Sequence, residues 1–188
     1  MHLFIALNLP KKERTRIHRA AQALRDRELP VRWSEPDDYH LTLKYLGDVR
    51  GERRDPVEHV MEKVASSTPP FEVEVRGFGA FPTIRKPRVL WIGAEATPEL
   101  RCLKQDVEWG LAEFGFDRET RAFHPHVTLG RAPEEGGAGA FRGLDAVVAE
   151  SDHTSRFTIR SLDLMRSKAS KSGPQYSILR TIKLTGPT

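Results

Sequence analysis

Two short stretches of the chain carry side chains suited to chemistry, and they share one pattern. His40-Leu41-Thr42-Leu43 and His126-Val127-Thr128-Leu129 each read His, apolar, Thr, Leu. In an extended strand successive side chains point to opposite faces, so the His and Thr of each copy share a face. The two apolar residues share the other face and can anchor the strand in a core. Each copy thus offers an imidazole beside a hydroxyl on a rigid element, which holds catalytic groups better than a loop does. Two such strands facing one cleft would present two imidazoles and two hydroxyls to a small anion. Phosphodiester cleavage by acid–base catalysis needs that set. One neutral imidazole takes a proton from attacking water, and the other, protonated, gives one to the leaving oxygen. Histidine suits both tasks because its unperturbed pKa, about 6.5, lies near working pH.

The neighbours of the repeat sharpen the reading. Arg131 lies three residues beyond Thr128, and its guanidinium fork matches two phosphate oxygens. Tyr45 holds the same place after the first copy and could stack on a base. His124-Pro125-His126 has a metal-ligand spacing, with His40 as a third ligand, but no carboxylate or cysteine accompanies it at ligand spacing. A lone His-x-Thr is ordinarily just the polar face of a strand; the matched pair is what argues for function. The single cysteine, Cys102, falls among helix-like apolar positions and reads as a small core residue.

The elements that must position these groups follow from periodicity and punctuation. Residues 2–9 form an apolar strand bounded by Pro10. Residues 11–28 carry an amphipathic helical stripe and end before Pro30. A short strand at 31–33 and a turn at 36–38 precede the first motif strand, 39–46. A helix is predicted at 55–66, with Asp55 as cap and Pro56 at its first position. Strands follow at 71–75 and 89–92. Thr97-Pro98 opens a helix striped by Leu100, Leu103, Val107, Leu111 and Phe114. After the second motif come a Gly- and Glu-rich loop at 133–140, a short helix at 142–149, and strands at 156–165 and 176–184. Irregularly interspersed strands and helices indicate an α+β protein with antiparallel sheet.

Bulk properties exclude little but are consistent. Lys and Arg number 30 against 26 Asp and Glu, a net +4 that mildly favours anionic partners. No apolar run approaches the roughly 18–20 residues of a membrane span, and the opening does not read as a signal peptide. The expectation is a cytoplasmic protein without a membrane partner, and a monomer by default.

At these residues the chain resembles the two-histidine phosphoesterase superfamily, and within it the RNA 2′,3′-cyclic phosphodiesterases, once described as 2′-5′ RNA ligases. The likeness covers nearly the whole chain. It includes Leu3-Phe4-Ile5-Ala6-Leu7-Asn8-Leu9-Pro10, Arg32-Trp33, the first motif through Gly47, and Arg88-Val89-Leu90-Trp91. Phe123-His124-Pro125-His126-Val127-Thr128-Leu129-Gly130-Arg131 is its most specific piece. The resemblance implies a single two-lobed unit over residues 1–188, with two pseudo-symmetric antiparallel sheets and flanking helices around a central cleft. It implies no metal or other cofactor, and RNA ending in a 2′,3′-cyclic phosphate as partner. It makes His40 the general acid to the ribose O3′ and His126 the general base for water, giving a 2′-phosphate. Thr42, Thr128 and Arg131 would hold the phosphate and Tyr45 would stack on the terminal base, standing where the family usually has Phe. His2 and His124 receive no role. The alternatives are reversible 2′-5′ RNA joining, a small-nucleotide cyclic phosphodiesterase, and, outside enzymes, an RNA-end binding protein.

Overall fold

The structure, a computed structural model, describes residues 1–133 and 139–188. The apolar opening run is β1 (His2–Asn8), with five consecutive buried residues. The stripe that follows is broken at Ala21 into α1 (Lys11–Ala20) and α2 (Gln22–Arg25), which bury Ile17 and Leu24. Then come β2 (Arg32–Trp33), a 3-10 turn at Pro36–Asp38, and β3 (His40–Asp48), which carries the first motif. α3 (Gly51–Ser67) leads to β4 (Phe71–Pro82) and β5 (Pro87–Ala94). α4 (Pro98–Ala112) starts as its sequence dictates, with Pro98 in the first turn and the Thr97 hydroxyl accepting from the Leu100 amide at 3.3 Å. β6 (His126–Arg131) carries the second motif, and α5 (Leu144–Glu150), β7 (Thr154–Ile159), β8 (Ser161–Lys168) and β9 (Gln175–Lys183) complete the chain.

The strands form one nine-stranded sheet in the order β7-β4-β5-β6-β3-β1-β8-β9, with β2 paired to β6. Neighbouring strands run antiparallel throughout the described residues. The two motif strands are therefore neighbours at the centre, and three strands extend outward from each. They meet at a single pair, Leu41 opposite Val127, whereas β1–β3 and β5–β6 pair over several residues. The two separate sheets expected from the resemblance are thus joined through that one pair into a continuous sheet. Helices α1 to α4 bring Ile17, Leu24, Val57, Met61, Leu100 and Val107 into one core with the sheet residues Leu3, Ile5, Leu41 and Val127. A separate small cluster, Phe4, Ala6 and Met165, with Tyr176 against it, lies on other side chains of β1 and β8.

Several boundaries differ from the sequence reading, each for a local reason. α3 begins at Gly51, so Pro56 sits inside it and forfeits the amide bond that its position would give to the Glu52 carbonyl. The strand expected at 156–165 is split at Arg160 into β7 and β8, which join opposite sides of the sheet. β4 continues past the alternating stretch to Pro82. Cys102 is exposed: the buried stripe of α4 runs through Leu100, Leu103, Lys104, Val107 and Leu111, and Cys102 lies off it. Phe114 lies beyond the helix end and is exposed. Of the loop expected at 133–140, residues 134–138 lie outside the described residues.

Candidate active site

The Leu41–Val127 pair sets the register of the two motif strands. It places His40 across from Thr128 and Thr42 across from His126, all on the face opposite the buried Leu41 and Val127. Each imidazole then has one Thr two residues along its own strand and another across the junction. The repeat seen in the sequence is in space a two-fold arrangement about one residue pair.

Strict alternation would send Tyr45 and Arg131 the wrong way, onto the core face with Leu41 and Val127. Both strands solve this with the same irregularity. Across β1–β3, Ile5 faces Lys44 while Ala6 faces Thr42, so Leu43 is an extra, bulged residue. Across β5–β6, Leu90 faces Gly130 while Trp91 faces Thr128, so Leu129 is the extra one. A bulge inserts one residue and reverses the phase of the side chains after it. The first six residues of both strands accordingly share one burial pattern: half-buried, buried, half-buried, buried, buried, exposed. The sixth positions, Tyr45 and Arg131, emerge with the His and Thr. The fifth positions, Lys44 and Gly130, go inward. A Cβ on Gly130 would lie 2.6 Å from Val31 Cγ1 and 2.9 Å from Trp33 Cε3, so β2 can pack there only against a glycine.

Lys44, only 6% exposed, needs charge partners. Its ammonium donates to Glu108 at 2.7 Å and to the Asp117 carbonyl. Lys104 donates to the same carboxylate at 2.9 Å, to Glu119 at 2.9 Å and to the Leu43 carbonyl of the bulge. Burial pushes the Glu108 carboxyl up, but the hydrogen bonds from Lys44 and Lys104 outweigh it and hold it below the usual range. The cluster ties the bulged part of β3 to α4.

The two imidazoles are held alike. His40 Nδ1 lies 2.8 Å from the Asp38 carbonyl and His126 Nδ1 lies 2.7 Å from the His124 carbonyl. A carbonyl can only accept, so in each ring Nδ1 carries the proton and Nε2 is left to act on a ligand. Burial is the main cause that lowers both pKa values; His40 falls to about 4, with the Asp38 carbonyl opposing the shift and Arg14, Arg131 and His126 adding repulsion. His126 is lowered by burial, opposed by the His124 carbonyl and assisted by Arg131 and His124.

Aromatic rings wall the two histidines. Phe4 and Tyr176 pack on His40, each with ring centroids at 5.1 Å, Tyr176 edge-on. Phe81 meets His126 edge-on at 5.1 Å, and Trp91 lies at 6.3 Å. Gly79 lets the Trp91 ring lie across β4, since a Cβ there would come within 2.4 Å of it. A cleft of about 590 Å³ is lined by Thr42, Tyr45, Phe81, Phe123, His124 and His126, with Lys104, Glu119 and Arg121 further along. His40, Thr128 and Arg131 are not on that wall; they gather beside it, where His40 feels the charges of Arg131 and His126. Tyr45 is 64% exposed.

Sequence reasoning missed Tyr176, Phe4, Phe81 and Trp91. Tyr176 lies beside Arg131, whose charge acts on its hydroxyl, while burial raises its pKa. Its only sequence signal is an aromatic residue in the last strand, and nothing local ties that to His40. His2 is exposed at the start of β1, opposite Asp48 and Ser167. The His124 ring packs on Phe81 at 6.3 Å. Among the described residues no three His, Cys, Asp or Glu side chains converge as a metal site, and no helix is long and apolar enough to cross a membrane.

The chain matches the description "2′-5′ RNA ligase superfamily" over residues 9–171. It is 29% identical to an RNA 2′,3′-cyclic phosphodiesterase of Methanothermobacter thermautotrophicus, over 96% of this chain and 97% of that one. It is 32% identical to an RNA 2′,3′-cyclic phosphodiesterase of Aeropyrum pernix, over 89% and 94%. Among solved structures, a Thermus thermophilus protein superposes with TM-score 0.81 at 26% identity, covering 100% of both chains. E. coli LigT complexed with 3′-AMP superposes with TM-score 0.75 at 25% identity, covering 98% of both.

Proposed function

Because the chain belongs to the 2′-5′ RNA ligase superfamily, we propose that it is an RNA 2′,3′-cyclic phosphodiesterase that leaves a 2′-phosphate, with His40 as general acid and His126 as general base. The observation that carries the reading is the quartet His40, Thr42, His126 and Thr128 on one face of the central strands, each imidazole with Nδ1 occupied and Nε2 available. The names of the relatives support the reaction class.

In this mechanism His126 Nε2 accepts a proton from water as the water oxygen attacks phosphorus. The bond from phosphorus to the ribose O3′ breaks, and His40 Nε2–H protonates that oxygen. Thr42 and Thr128 donate hydrogen bonds to the non-bridging oxygens, Arg131 offsets their charge, and Tyr45 stacks on the terminal base. Before substrate binds, both imidazoles favour the neutral form, His40 more strongly. The acid must therefore gain its proton with the substrate, whose phosphate anion favours imidazolium. The whole chain acts as one two-lobed monomer, and a cytoplasmic location belongs to the same proposal.

The test is incubation in excess EDTA with a short RNA ending in a 2′,3′-cyclic phosphate, followed by identification of the terminal phosphate. The expected product is a 2′-phosphate, lost in His40→Ala and His126→Ala. Turnover that needs an added divalent ion would replace the mechanism with a metal-dependent one. No turnover under either condition would leave another substrate or an RNA-end binding role. The acid and base are told apart by a substrate whose bridging 3′ oxygen is sulfur, a leaving atom that needs less protonation. It should relieve His40→Ala and not His126→Ala.

A further inference from the structure

The two imidazoles have the same hydrogen bond but different supports for it. For His126 the acceptor is the His124 carbonyl, followed by buried Pro125, whose own carbonyl accepts the Ala94 amide at 2.9 Å. A proline ring and a strand-edge hydrogen bond therefore fix that carbonyl. For His40 the acceptor is the Asp38 carbonyl, at the end of the 3-10 turn Pro36–Asp38, outside any strand. That turn is held from α1. One terminal nitrogen of Arg14 donates to the Asp37 carbonyl at 2.8 Å, and the other donates to Asn8 Oδ1 at 3.1 Å.

The anchor continues inward. The Asn8 amide donates to the Asp163 carboxylate, which is 4% exposed, and the Thr181 hydroxyl donates to the same carboxylate at 2.6 Å. Asn8 is also the cross-strand partner of His40. Arg14 thus joins the turn to a polar group spanning β1, β8 and β9, with the buried Asp163 carboxylate at its centre. The Arg14 Nε–H is buried without a hydrogen-bond partner among the described residues.

We propose that Arg14 is the positioning residue for His40, clamping the turn whose carbonyl orients the imidazole. Both of its terminal nitrogens are taken up by the Asp37 carbonyl and Asn8, so in this proposal it acts through His40. The guanidinium suits the task because its two terminal nitrogens reach two acceptors at once, which an ammonium cannot do in the same geometry. The proposal rests on the reading that His40 acts in the chemical step.

The experiment compares Arg14→Ala and Arg14→Lys with His40→Ala and His126→Ala, on RNA cyclic phosphates with oxygen or sulfur at the 3′ bridge. A misplaced acid predicts kcat lowered about 10- to 100-fold with KM unchanged. The sulfur substrate should narrow the Arg14→Ala loss as it narrows that of His40→Ala. Arg14→Lys keeps the charge and loses the fork, so it should share the loss; should Arg14→Ala not fold, it carries the comparison alone. Wild-type kcat in Arg14→Ala, full activity in Arg14→Lys, or a leaving-group response that follows His126→Ala would each overturn the proposal. If sulfur fails to relieve His40→Ala, the acid assignment falls. Arg14 must then still follow His40→Ala on both substrates.

Discussion

At the scale of single residues, the lowered histidine pKa values have two separable consequences. The first concerns binding. Burial opposes the charged form of both imidazoles before a ligand arrives and lowers their pKa values. A phosphate anion between them reverses the balance, so binding of a nucleoside 2′-phosphate should take up protons. Calorimetry at pH 7 in buffers of different ionisation enthalpy measures that uptake, and it should vanish in the His40→Ala, His126→Ala double variant. The second concerns stability. His40 has a folded pKa of about 4 against 6.5 in a free chain. Between those values the unfolded state binds more protons, so stability contributed by this site falls as pH drops from 6.5 to about 4. The decline of melting temperature across that range should be shallower in His40→Gln. Catalysis itself should lose about 10²–10⁴-fold in either single His→Ala variant, the usual worth of positioned acid–base catalysis. Tyr176→Phe keeps the edge-on ring against His40 but removes the hydroxyl beside Arg131. It should raise KM for the cyclic phosphate more than it lowers kcat. The histidines and threonines were legible in the sequence because a two-residue spacing encodes a shared face. Tyr176 was not, since its place depends on which strands become neighbours.

At the scale of elements, the bulges decide which residues the motif delivers. Alternation explains His and Thr but not Tyr45 or Arg131, whose exposure depends on the extra residues Leu43 and Leu129. No periodicity in the sequence announces a bulge. The buried fifth positions show what the device costs. Gly130→Ala would drive a methyl into Val31 and Trp33. Overpacking of this kind is worth about 1–3 kcal/mol, measurable by denaturant unfolding, and it should weaken activity by displacing β2 from β6. On the other strand Lys44 is inward and depends on Glu108. Glu108→Ala leaves two buried ammonium groups without their shared carboxylate and should cost about 3–5 kcal/mol, whereas Arg121→Ala, at an exposed ion pair, should change stability little. Elements with a single strong pattern, such as β1 and α4, are legible nearly to their ends. The start of α3 is not, because Asp55-Pro56 reads as a helix opening while the chain is already helical from Gly51. Cys102 sits one position off the buried stripe of α4, a difference too fine for an apolar count to resolve.

At the scale of the whole molecule, the two motif strands sit side by side although most of the chain lies between or outside them. The α+β class with antiparallel pairing was legible from the mixture of patterns. The single continuous sheet was not, because it hinges on one residue pair, Leu41 with Val127, that no local signal specifies. Both are fully buried, so Leu41→Ala should cost about 2–5 kcal/mol in unfolding experiments. The strand order has a further implication for how the protein comes into being. Apart from the short β2, the strands on the His126 side, β4 to β7, are consecutive in the chain, whereas the His40 side joins β1 and β3 to β8 and β9. On a ribosome, where the N-terminal part emerges first, the His126 side has all its strands before β9 exists. β1 meanwhile waits with one edge unpaired until β8 arrives. β9 supplies Tyr176, and with it a wall against His40, so the newly made chain completes this site only once β9 has emerged and paired with β8.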